Sequence, residues 1–107
     1  MSEEALPPGE ALDTARELVR AGRPFSAHEV LEARWKAGPI EERDLWQGLA
    51  QLCVAMTHAA RGNQAGADRL FERAADRLTA FAATGRGAYG LDLDATVKQA
   101  RGHLGRF

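Results

Sequence analysis

The sequence predicts an all-α fold, a compact single-domain bundle of four to five helices joined by short loops. Three observations lead there. Alanine and leucine dominate the apolar residues, while the 107 residues include only four valines and one isoleucine, so strand-forming β-branched side chains are scarce. Apolar positions recur at three- and four-residue spacing, and the chain holds no convincing strand. Glycine, proline and asparagine punctuate the chain at Gly22–Pro24, Gly38–Pro39, Gly62–Asn63 and Gly85–Gly90, one helix length apart.

Each element has its own signal. Residues 1–9, ending in Pro7-Pro8-Gly9, read as a lead-in to a domain spanning 10–107. A first helix is expected from about Glu10 to Ala21, with Leu12, Ala15, Leu18 and Val19 on one face. For the second helix, Ser26 and Glu29 have the spacing of a capping box, and Phe25 before the cap can staple onto Val30. A third helix, from about Glu41 to Arg61, opens on the acidic residues Glu41, Glu42 and Asp44 that suit the helix dipole. Its apolar character runs most of the way round, as expected for the centre of a bundle. A fourth helix is expected from Gln64 to Ala83, with Ala67, Leu70, Phe71, Ala74, Leu78 and Phe81 inward and Arg69, Arg73 and Arg77 on a solvated face among acids. After a loop, Asp94 to Leu104 forms a last helix with Val97, Ala100 and Leu104 inward.

Composition excludes several function classes. Fourteen basic and fifteen acidic residues leave a net charge of −1, without the basic footprint of a nucleic-acid binder. A single cysteine rules out an internal disulfide, and Cys53 beside the leucine ridge reads as a buried, inert thiol. The acidic start Met1-Ser2-Glu3-Glu4 is unlike a signal peptide, and the longest uncharged run, Leu45 to Ala60, is shorter than the roughly 20 residues of a membrane span. A cytoplasmic location is the expectation. Gly85 to Gly90 spells GxGxxG, but a nucleotide loop needs a preceding strand, and here a helix precedes it.

The chemistry concentrates in His28, Glu29, Glu32, Gln47, Gln51 and His58. His28 and Glu32 lie one helical turn apart, with Trp35 a further turn along. On the third helix Gln47, Gln51 and His58 fall within an arc of roughly 40°, one polar stripe on an apolar rod. Two such helices facing each other could bring His28, Glu32 and His58 together as ligands of a divalent metal (zinc, manganese or iron), with a fourth position for water. Glu29 would then be the general base. The competing reading is a buried polar network without metal, in which Glu29 serves the capping box and the glutamines satisfy neighbouring groups.

These residues carry a resemblance. Phe25-Ser-Ala-His-Glu-Val-Leu-Glu-Ala-Arg-Trp35, Gln47-Gly-Leu-Ala-Gln51, His58 and Arg61-Gly-Asn-Gln-Ala-Gly-Ala67 are similar to the FxxHExLExxW and QGLxQ…H…GN..GA signature of family 309 of the domains of unknown function, a group of small, mainly bacterial proteins. The resemblance, over about residues 10–105, implies an all-helical bundle and a metal-dependent-hydrolase label without an established substrate. It points to His28, Glu29, Glu32, Trp35, Gln47, Gly48, Gln51, His58 and Asn63. Here HExxE stands where zinc proteases have HExxH, a departure from a protease-like site.

Two functions follow as expectations. In the first, the domain is a metal-dependent hydrolase of unknown substrate with an HExxE-centred pocket, where Trp35, Gln47, Gln51 and Asn63 line the pocket or support the ligands. In the second, it is a noncatalytic protein-binding or homo-oligomeric module whose His/Glu/Gln cluster is structural and whose exposed face carries Trp46.

Overall fold

Among the helices of the computed structural model, which describes residues 5–104, the third carries the core. This helix, α3 (Arg43–Ala60), buries eleven of its residues, from Leu45 and Trp46 to Ala59. The buried polar group on it, the Thr57 hydroxyl, donates to the Cys53 carbonyl at 3.0 Å, so no unpaired hydroxyl enters the core. Around it stand α1 (Pro8–Arg20), α2 (Pro24–Ala37), α4 (Gln64–Ala83) and α5 (Leu93–Leu104). Neighbours in sequence are neighbours in space: α1 packs on α2, α2 on α3 and α3 on α4, while α5 rests on α3 and α4. The molecule measures 36 × 34 × 19 Å, so its short dimension is about two helices thick. The fold is all-α, with no strand among the described residues. No described helix is long and apolar enough to cross a membrane.

Several boundaries differ from the sequence expectation for identifiable reasons. Pro8 starts α1 two residues earlier than Glu10, because a proline in the first turn has no N–H to leave unpaired. Pro24 does the same for α2, which overturns the capping box: Ser26 lies inside the first turn, and Arg23 occupies the cap position without a side-chain bond. The Phe25 staple fails with it. Phe25 is on the helix, half exposed, and its ring lies 5.2 Å from that of His28. The acidic residues before α3 form a short 3₁₀ turn, Ile40–Glu42, and α3 proper begins at Arg43.

The α4 bounds agree with the sequence reading, and Ala67, Phe71, Ala74, Leu78 and Phe81 are buried as expected. Arg77 does not belong to the solvated face. It reaches α3 and pairs with Asp44 at 3.1 Å. Ala100 of α5 is buried and Val97 packs against the core. The side chain of Leu104 and residues 1–4 of the expected lead-in lie outside the described residues.

Two joints share one geometry. After α1, Gly22 N–H donates to the Val19 carbonyl and Arg23 N–H to that of Leu18. After α3, Gly62 N–H donates to Ala59 and Asn63 N–H to His58. These are the paired backbone bonds of a Schellman motif, which need a left-handed residue after the cap, and Gly62 supplies it at φ +83°.

Candidate functional site

The structure brings some of the signature residues together and separates others. On α2, His28 Nε2 lies 3.8 Å from Glu32 Oε1, and Lys36 Nζ lies 4.0 Å from Glu32 Oε2. The His28 side chain is 18% exposed and that of Glu32 37%, so the pair sits at the domain edge. His28 Nδ1 is buried without a hydrogen-bond partner among the described residues. Glu29 is exposed, and residues one apart on a helix do not face each other, so it points away from His28. Trp35 is half-buried and packs on the core.

On α3, Gln47, Gln51 and His58 are all half-buried. Gln51 Oε1 is shielded from solvent and unpartnered among the described residues. His58 turns to the α3–α4 corner, where its Nδ1 accepts from Asn63 Nδ2 at 3.1 Å. The other end of the same amide, Asn63 Oδ1, accepts from Gly66 N–H at 2.9 Å and caps α4. A Cβ on Gly66 would stand 2.5 Å from Asn63 Nδ2, so this cap requires glycine at that position. His58, Asn63, Gly66, Arg69, Leu70 and Arg73 border a recess of about 160 Å³ there.

Gly48 also has a packing role. A Cβ there would lie 2.9 Å from Leu78 Cγ and Cδ2, closer than atoms tolerate, so the glycine lets α4 approach α3.

A catalytic zinc takes three protein ligands and keeps one position open. Among the described residues no three His, Cys, Asp or Glu side chains converge. His28 and Glu32 supply two donors from one helix, and one ring nitrogen of His58 is engaged by Asn63. The donor set therefore does not fit such a metal.

A second polar cluster was not singled out from the sequence. Glu42 accepts from Trp46 Nε1 at 2.9 Å through one oxygen and from the Tyr89 hydroxyl through the other. The Trp46 and Tyr89 rings lie 5.9 Å apart, and the Arg34 guanidinium stands 6.0 Å from the Trp46 ring centre. The Glu42 hydrogen bond and negative charge raise the Tyr89 pKa above its ordinary value of 10.0. Trp46 itself is 0% exposed, which corrects the expectation of an exposed face built on it. The four-residue spacing of Glu42 and Trp46 was visible in the sequence, whereas Tyr89 arrives from a distant loop with φ +56°.

A larger recess than the one beside His58 lies elsewhere. A recess of about 580 Å³ opens between α1, α3 and α5. Its floor is Leu31, Leu49, Leu52, Cys53 and Met56, and Arg16, Arg20, Asp92 and Gln99 stand among the residues around it. Burial pushes the Cys53 thiol up to about 12, so it is a neutral part of that floor.

With this geometry in place, comparison with known proteins agrees with the signature residues. Residues 12–70, more than half of the chain, match the family model described as Domain of unknown function (DUF309). A curated relative, the uncharacterized protein YpuF of Bacillus subtilis (strain 168), is 49% identical over 47 residues, which is 43% of this chain and 27% of that protein. The match thus spans about a quarter of the relative's length. No solved structure matches. The chain belongs to the DUF309 family.

Proposed function

We propose that this domain is a noncatalytic cytoplasmic binding module, whose His/Glu/Gln signature builds the helical frame and whose apolar recess receives the ligand. The recess between α1, α3 and α5 carries this reading: at about 580 Å³ it is within the roughly 300–1,000 Å³ range of ligand pockets. The signature residues supply architecture. Gly48 sets the α3–α4 approach, Asn63 caps α4, and His58 is held by that cap. His28 and Glu32 line one edge of α2, with Lys36 a further turn along and 4.0 Å from Glu32, an arrangement that a structural role accounts for.

The test is metal retention. Protein incubated with zinc, manganese or iron(II) and then desalted is expected to keep well under one equivalent, with the same residue in His28→Ala and His58→Ala variants. Near-stoichiometric metal that disappears in His28→Ala would overturn the proposal in favour of the hydrolase.

A further inference from the structure

We propose that the α1–α3–α5 recess binds a single-chain anionic amphiphile, its acyl chain on the leucine floor and its acid group against Arg16 and Arg20. The inference rests on the binding-module reading of the same recess and names the ligand class.

The floor offers no hydrogen-bonding demand that a polar ligand would satisfy. Leu31, Leu49, Leu52 and Met56 are apolar and the Cys53 thiol beside them stays protonated, while the polar lining side chains Thr96 and Gln99 belong to α5, where the Thr96 hydroxyl already donates to the Asp92 carbonyl. Small side chains create the space: Ala15 on α1 and Ala95 and Ala100 on α5 stand where larger residues would close it. A flexible acyl chain suits such a trough better than a rigid polar molecule.

The edge of the recess supplies the sign of the charge. Arg16 and Arg20 are one turn apart on α1, hence on one side of the helix. Both are exposed, and neither forms an ion pair among the described residues. Across the recess, Asp92 is the acid among the lining residues, and its Oδ1 already accepts from Ala95 N–H at 3.0 Å. Two guanidinium groups beside an apolar trough, with no ion-pair partner among the described residues, favour a carboxylate or similar acid, which they can bind by charge-assisted hydrogen bonds.

Titration calorimetry on the full chain, below micellar concentrations, tests this with decanoate, dodecanoate, dodecanol and dodecyltrimethylammonium. Dodecanoate is expected to bind one per chain, about fifteenfold tighter than decanoate, since each buried methylene contributes about fourfold. The Arg16→Gln/Arg20→Gln variant should lose dodecanoate tenfold or more and leave dodecanol unchanged. Ala95→Phe, which fills the trough, should abolish both, with far-UV circular dichroism verifying the fold of each variant.

Equal binding of dodecanoate and dodecanol, or undiminished dodecanoate binding in the double variant, would overturn the anionic class while the binding module stands. No amphiphile binding, with self-association that Ala95→Phe removes, would overturn the amphiphile and assign the recess to a second copy. No binding and no self-association would overturn it as well. Stoichiometric metal lost in His28→Ala is the separate result that would remove the module reading itself.

Discussion

Asn63 divides its amide between two helices, donating to His58 Nδ1 at the end of α3 and accepting from Gly66 N–H at the start of α4. Replacing Asn63 with Ala removes both bonds, and caps of this kind contribute about 0.5–2 kcal/mol. The variant should melt several degrees lower, at about 4–8 °C per kcal/mol for a domain of this size. Asn63→Asp keeps the acceptor and should lose less in the same thermal scan.

Gly48→Ala should destabilise the domain although alanine is the better helix former. Its Cβ would meet Leu78 at 2.9 Å, and such overpacking costs about 1–3 kcal/mol. If Leu78 is the obstacle, Gly48→Ala in a Leu78→Ala background should cost less than in the wild type. A double-mutant cycle in urea measures that coupling, and strict additivity would refute the packing role.

Tyr89 is the only tyrosine, so phenol absorbance reports it alone. Its titration midpoint should lie above 10.0, and Glu42→Gln should bring it down by removing the carboxylate charge. Because the folded pKa is raised, the protonated phenol is the form that the fold favours. Its stabilisation is complete below the unfolded value and is lost as pH rises through the folded one. A midpoint unaffected by Glu42→Gln would separate the two groups.

Cys53 should react with a thiol reagent at pH 8 far more slowly in the folded protein than in urea. Burial raises its pKa from 9.0 to about 12 and leaves it 5% exposed. The sign follows the same rule: the buried thiol's contribution is intact below pH 9 and disappears as pH approaches 12. Reaction as fast in buffer as in urea would show that burial does not hold the thiol protonated.

Much of the fold was legible because the helix breaks are chemically explicit. Gln64 to Ala83 was bounded correctly, since Gly62 and Asn63 both stop one helix and start the next. The start of α2 misled because two signals compete within three residues, and Pro24 prevails over Ser26 by fixing the backbone first.

The candidate site was less legible. A helical wheel places Gln47, Gln51 and His58 on one stripe, but cannot say that His58 turns to Asn63 around the next corner. Nor does local spacing show that Glu42 will meet Tyr89, 47 residues on. The recess was invisible for a related reason: its walls come from helices whose separation is a tertiary quantity.

The helices of this domain pack largely in chain order, but the recess breaks that rule by placing α1 and α5, the pair most distant in sequence, on either side of α3. Most of the assembly can consequently form through short-range encounters, which favour rapid folding. The recess walls need the long-range step, so this region should be the first to loosen and the last to consolidate. An occupant would act as a clasp across the fold, and amide exchange in α1 and α5 would slow together although the two helices share no hydrogen bond among the described residues.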